Sequence, residues 1–249
     1  MEDARIDRTG FGDIVVLQRE KLGYGVDAVL LSAFAAGETG ASAVRPGMRV
    51  ADLGTGSGIV AFTVAHKVPG SAVTGFDVRE DAVRRAKRAA ELNGMEDRTF
   101  FVNGDVSSLD PANASSYEGS FDAVVTNPPY FRRNGAVRAS SDDRFIARHE
   151  TTADLAAFVR ASAYILKDRG LLYMVHRPDR LADIFFEMRT QGIEPKYLQL
   201  VVPKPGERAN ICLVCGIKGA GSELKVLPEL AVHSPNGEYT DEINRIYER

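Results

Sequence analysis

The run Arg49-Val50-Ala51-Asp52-Leu53-Gly54-Thr55-Gly56-Ser57-Gly58, followed by a helical stretch from Ile59 to Lys67, constrains this chain more than any other feature. Its apolar start reads as a buried strand, its three alternate glycines as a tight turn, and its continuation as a helix. Strand, glycine turn and helix in that order make a nucleotide-binding α/β unit. Glycines let the main chain approach a ligand closely, and the helix N-terminus offers N–H groups with no partner inside the helix. Gly54, Thr55, Gly56 and Gly58 are therefore candidate ligand contacts.

The glycine spacing is G-x-G-x-G, unlike the G-x-G-x-x-G of dinucleotide folds, and Asp52 ends the strand. A carboxylate there repels a pyrophosphate and suits the amine of an amino-acid-like ligand. That chemistry points to S-adenosyl-L-methionine. A second strand, 72–77, ends in Asp77, nineteen residues beyond Gly58, where an acid can take both ribose hydroxyls. A third, 99–102, leads to Asn103-Gly104-Asp105, and Asp105 is placed to reach an adenine edge. Val78 and Val106 complete the expected cofactor set. A fourth, 121–126, delivers Asn127, so four strand tips carry Asp52, Asp77, Asp105 and Asn127 along one sheet edge.

The residues Asn127-Pro128-Pro129-Tyr130 are the candidate catalytic set. An exocyclic amine is a weak nucleophile because its lone pair is delocalised into the ring. Two acceptors, the Asn127 amide oxygen and the Pro128 carbonyl, would grip its N–H bonds and aim the lone pair at an electrophile. Consecutive prolines supply carbonyls without N–H groups and force extended geometry on the residues before them. Tyr130 offers a face for base stacking. Two prolines also simply end strands, and this second reading stays open at the level of the tetrapeptide.

The rest of the chain bounds the function. Its 249 residues suffice for one large domain, and a net charge of −3 excludes a global basic field. The first residues lack an apolar signal core, and no run approaches eighteen apolar residues, so secretion and membrane insertion are not expected. A first strand is expected over 11–17, then a helix from Ala28 to Ala36 capped by Asp27, with Tyr24 in a loop that could cover a ligand. The stretch from Phe131 to His149 carries Arg132, Arg133, Arg138, Arg144 and Arg148 against Asp142 and Asp143. Basic and aromatic residues beside a base-stacking site suit nucleic acid, which makes Phe131, Arg132, Arg133, Arg138 and Arg148 candidate substrate contacts. Arg84, Arg85, Lys87 and Arg88 on the helix from Glu80 to Asn93 read as a solvated face instead.

A further helix is expected to Lys167, then strands 171–175, 197–202 and 211–217, a helix 178–191, and a short closing helix capped near Thr240. Cys212 and Cys215 are expected on opposite faces of one strand as buried free thiols. Histidines 66, 149, 176 and 233 have no metal spacing, so no metal is assigned.

Taken together, Asp52-Leu-Gly-Thr-Gly-Ser-Gly58, Asp77, Asp105 and Asn127-Pro-Pro-Tyr130 resemble class I S-adenosylmethionine-dependent N-methyltransferases over about residues 45–217. The stretch from Gly23 to Leu31, Arg148-His149-Glu150 and Gly237-Glu238-Tyr239-Thr240 narrow the resemblance to the bacterial tRNA(Val) adenine-N6-methyltransferases. That resemblance implies a cytoplasmic enzyme acting on tRNA, with a Rossmann-like α/β fold. Its mostly parallel seven-stranded sheet would run 3-2-1-4-5-7-6, the last strand antiparallel, with helices on both faces. It implies a methyltransferase core over 45–218, an N-terminal extension over 1–44 and a tail over 219–249. The same tetrapeptide serves enzymes that methylate guanine N2 in ribosomal RNA, a protein glutamine, or DNA adenine. A cofactor-binding protein without transferase activity is a more distant alternative.

Overall fold

A computed structural model of the chain describes residues 4–10, 12–19, 25–129 and 155–248. Its opening is a hairpin, β1 (Ala4–Arg8) antiparallel to β2 (Val15–Arg19). This differs from the single strand expected over 11–17. Gly10 and Gly12 adopt positive φ, and the Thr9 N–H donates to the Ile14 carbonyl at 3.0 Å, so the centre of that span is a turn. The polar segment around Asp7 hid the first strand, because its partner is one antiparallel neighbour and not a core. Asn93 docks the hairpin by exchanging two 2.9 Å bonds with the Val15 main chain.

Helix α1 (Val26–Ala35) begins after Gly25, with Asp27 in its first turn and not at its cap. From Ala28 onward all its residues are buried, packed on α2 and the sheet. The sheet then forms from β3 (Arg49–Leu53), β4 (Ala72–Asp77), β5 (Thr99–Asn103), β6 (Phe121–Thr126), β7 (Leu166–His176), β8 (Ile193–Val202) and β9 (Ile211–Lys218). Its spatial order is β5-β4-β3-β6-β7-β9-β8. Counted from β3 as the first strand this is 3-2-1-4-5-7-6, and β9 runs antiparallel to both neighbours. Two short tail strands, β10 (Lys225–Val226) and β11 (Leu230–Ala231), extend the sheet beyond β8, which raises the strand count above seven. At two residues each they carry no readable periodicity.

Helices α2 (Ile59–Lys67), α3 (Glu80–Leu92) and α6 (Asp241–Ile246) join α1 on one face of the sheet. Helices α4 (Leu155–Ile165) and α5 (Leu181–Thr190) cover the other. Side chains alternate between the two cores as strand geometry requires: Val50 packs with the first, Ala51 and Leu53 with the second. The same alternation sends Cys215 into the first core and Cys212 into the second, both as buried free thiols. The expected helix end at Asp168-Arg169-Gly170 is instead a bulge at the start of β7, where pairing slips between Phe121 and Ala123 and Arg169 takes φ 62°. Lys218 Nζ donates to the Ala163 and Leu166 carbonyls, both at 2.7 Å, at the end of α4.

Candidate active site

From β3 the chain proceeds outward through β4 and β5, then crosses back to place β6 on the other side of β3. The carboxyl ends of β3 and β6 therefore flank the switch point where open α/β sheets bind ligands. Thr126 Oγ1 donates to the Leu53 carbonyl at 2.9 Å and fastens the two tips together.

The turn after β3 depends on its glycines. Gly54, Gly56 and Gly58 take φ of 76°, 55° and 82°, a region that side chains other than glycine enter at a cost. A Cβ on Gly58 would lie 2.8 Å from the Phe62 ring and 3.0 Å from Phe101. The Gly54 and Thr55 N–H groups donate to the Phe76 carbonyl at 2.9 and 3.0 Å, tying the turn to β4. Gly75 belongs to this arrangement too, because a Cβ there would meet Thr55 Oγ1 at 2.6 Å.

Asp52 is 1% exposed, and its Oδ2 accepts from Thr55 Oγ1 at 2.6 Å. Burial pushes its carboxyl up to about 7, against the stabilising Thr55 bond, and the nearby Asp77 charge adds to the rise. Its place is beneath the turn, bracing it. Asp77 is likewise buried at the tip of β4. Its Oδ2 accepts from Gly56 N–H at 2.8 Å, and its Oδ1 from Arg79 N–H at 2.9 Å and Arg79 Nε at 3.2 Å.

The end of β5 grips the next residue. Asn103 Nδ2 donates to the Asp77 and Val78 carbonyls, each at 3.0 Å, and Val78 is left 45% exposed. Asp105 caps a short 3-10 turn over Val106–Ser108 by accepting from Ser107 N–H at 2.8 Å. Val106 is buried beside it. Asn127 is half-buried, Pro128 buried and Pro129 exposed at the exit of β6.

The structure thus brings Asp52, Gly54, Thr55, Gly56, Gly58, Asp77, Val78, Asp105, Val106, Asn127, Pro128 and Pro129 to one sheet edge. Tyr24, Tyr130, Phe131, Arg132, Arg133, Arg138 and Arg148 lie outside the described residues. Sequence reasoning passed over Gly75, Arg79, Asn103 and Thr126. Arg79 had one legible sign, its place two residues after a strand-end aspartate, where a side-chain turn back to the main chain forms readily. The basic face of α3 is neutralised within its own helix: Arg84 pairs with Glu80, Arg85 with Asp81 and Arg88 with Glu91. Among the described residues no cluster of three metal-ligating side chains occurs, and no helix is long and apolar enough to cross a membrane.

These residues fit S-adenosyl-L-methionine. The glycine turn is a cradle that a Cβ on Gly58 would distort, the Asp77 carboxylate can accept from a diol, and Val78 offers an apolar surface beside Asp105.

Comparison with known proteins agrees with this geometry. The chain is 29% identical over 229 residues to the tRNA1(Val) (adenine(37)-N6)-methyltransferase of Porphyromonas gingivalis, covering 90% of this chain and 86% of the relative. A shorter stretch of 81 residues is 44% identical to the release factor glutamine methyltransferase of Chlorobaculum tepidum, covering 32% of this chain and 27% of that one. A crystal structure of a predicted O-methyltransferase from Agrobacterium tumefaciens shares the fold, with a TM-score of 0.71 at 23% identity over 89% of this chain and 95% of its own. Residues 28–190 match the methyltransferase small domain. The chain is an S-adenosylmethionine-dependent N-methyltransferase, and it belongs to the methyltransferase small domain family.

Proposed function

We propose that this enzyme methylates the exocyclic N6 amine of an adenine in tRNA, beside the anticodon. The observation that carries the reading is the exit of β6. Pairing with β7 ends at Thr126 and Met174, and the chain leaves the sheet as Asn127-Pro128-Pro129 next to the glycine turn. A proline nitrogen cannot donate, so the Pro128 carbonyl sits in a stretch whose own donors are missing. Asn127 and that carbonyl supply two acceptors for the two N–H bonds of a planar amine, and the Thr126–Leu53 bond fixes the strand that carries them.

S-adenosyl-L-methionine, when bound, supplies a methyl group already made electrophilic by its sulfonium. The residues of this chain position the partners and polarise the amine. Gly54, Gly56 and Gly58 admit main-chain contact, Asp77 accepts from the ribose, and Val78, Asp105 and Val106 receive the adenine. Tyr130 and Phe131 are assigned to stacking against the target base, with Tyr24 covering the site. Arg132, Arg133, Arg138 and Arg148 are assigned to the phosphates.

Likeness to a tRNA adenine-N6-methyltransferase over 90% of the chain supports tRNA adenine. The local likeness to a release factor glutamine methyltransferase supports a protein glutamine as the second reading. Incubating the protein with labelled cofactor, total tRNA and release factor separates them. N6-methyladenosine in digested tRNA is the expected product by mass spectrometry. N2-methylguanosine, or label in the release factor alone, would overturn the assignment.

A further inference from the structure

A carboxylate has about four lone-pair positions, two on each oxygen. In Asp77 four bonds already claim them. Oδ1 accepts from the Arg79 main-chain N–H at 2.9 Å and from its Nε at 3.2 Å. Oδ2 accepts from the Gly56 N–H at 2.8 Å and from Arg79 Nη2 at 3.4 Å. Two of these donors are main chain and fixed by the turn. The other two belong to one guanidinium, whose side chain is 36% exposed and free to leave into water.

A ribose diol also brings two donors. It cannot add to a carboxylate that is fully engaged, but it can replace the guanidinium two bonds for two. The position of Arg79 fits that exchange. Its Nη2 lies 3.6 Å from where a Cβ on residue 56 would stand, so the guanidinium spans from the β4 tip to the middle of the glycine turn.

We infer that Arg79 is a positioning residue for the cofactor site, an internal stand-in for the ribose hydroxyls. It holds Asp77 in its binding rotamer when no ribose is present and must withdraw when one arrives. This rests on the reading that Asp77 takes the cofactor ribose. Arg79 then lowers cofactor affinity and also blunts the enzyme's sense of the hydroxyls, because each hydroxyl gains only what the departing N–H gives up. Removing the guanidinium leaves Asp77 anchored by Gly56 N–H and its own Arg79-position N–H, both main chain.

Calorimetry with S-adenosylhomocysteine and its 2′-deoxy analogue tests the exchange in the wild type, Arg79→Ala, Arg79→Lys and Asp77→Ala. A partly exposed ion pair is weak, so Arg79→Ala should bind S-adenosylhomocysteine about two- to fivefold more tightly. Its preference for the 2′-hydroxyl should widen by a similar factor. Arg79→Lys, which keeps the charge but loses the fork, should fall between wild type and Ala. Asp77→Ala should erase the 2′-hydroxyl preference. If Arg79→Ala weakened both ligands equally, Arg79 would be only a brace and the exchange would be wrong. If Asp77→Ala kept the full preference, the ribose reading itself would fall, whatever Arg79 did.

Discussion

The two halves of the ligand edge are built differently. Across β3, β4 and β5 the polar side chains are knotted by short bonds: Asp52 by Thr55, Asp77 by Gly56 and Arg79, Asp105 by Ser107. Most of those partners lie two or three residues away or in the adjoining turn, so this half is shaped before any ligand arrives. At β6 the arrangement is reversed. Asn127 follows the last ladder pair, and the prolines behind it carry no N–H to engage. The difference assigns different duties. Changes in the β3–β5 half should register as stability and cofactor affinity, and changes at the β6 tip as chemistry.

The strongest test of that division is Asn127→Ala. Loss of one preorganised polar group at a reacting centre costs about two to three decades of rate. Single-turnover methylation of tRNA should fall by that much, with tRNA affinity and thermal midpoint nearly unchanged. A variant that kept wild-type chemistry would make the tetrapeptide a strand terminator. A large fall in the thermal midpoint would dissolve the contrast between the halves.

A second test uses pH on the opposite half. Burial raises the Asp52 carboxyl from its ordinary value to about 7. Between about pH 4 and 7 the native protein therefore holds a proton that the unfolded chain has released. With fewer protons on the unfolded state, stability falls as pH rises through this window and levels off above it. The slope is at most about 1.4 kcal/mol per pH unit. Asp52→Asn keeps an acceptor for Thr55 and removes the proton. Denaturation midpoints of wild type and variant across pH 4–8 should diverge with rising pH, the wild type losing ground to the variant. Parallel curves would mean that Asp52 titrates normally.

The parts that were legible in the sequence share a physical cause. Strands β3, β4 and β6 are buried on both faces and so appear as continuous apolar runs, and the polar residue closing each run marks the strand tip. Cysteines three apart in a strand had to face opposite cores. The hairpin of β1 and β2 was half hidden because Arg5, Asp7 and Arg8 pair across the strands without entering a core. Strands β10 and β11 exist only because β8 offers an edge. The grip of Arg79 on Asp77 was unreadable for another reason. It depends on which rotamer a flexible side chain takes once the glycine turn stands beside it, and no periodicity encodes that.

Asp77→Ala probes affinity alone. Because the ribose must displace Arg79, the net loss is smaller than for an unengaged carboxylate. About tenfold weaker S-adenosylmethionine binding is expected, near 1.4 kcal/mol. Single-turnover rate at saturating cofactor should hold within a few-fold. A large loss of saturated rate would show that the β4 tip takes part in chemistry and would break the division.

The smallest effect separates two glycines of similar backbone. Gly58, at φ 82°, and Gly94, at φ 59° just past the end of α3, both occupy the left-handed region. Alanine at either position pays for that conformation, roughly 1–2 kcal/mol. Only at Gly58 does the new Cβ also collide, at 2.8 Å with Phe62 and 3.0 Å with Phe101, whereas nothing lies within 4 Å at Gly94. Both rings sit in the core between α2 and the sheet, so they cannot swing into water to make room. Overpacking of that kind adds about 1–3 kcal/mol. In a chain of this size each kcal/mol moves the thermal midpoint by about 2–4 °C. Gly58→Ala should therefore melt several degrees below Gly94→Ala and bind cofactor more weakly, while Gly94→Ala keeps wild-type affinity. Equal midpoints would mean that the glycine turn yields to a methyl group. The cofactor half would then be looser than its hydrogen bonds imply, and the contrast with the β6 tip would be one of chemistry and not of rigidity.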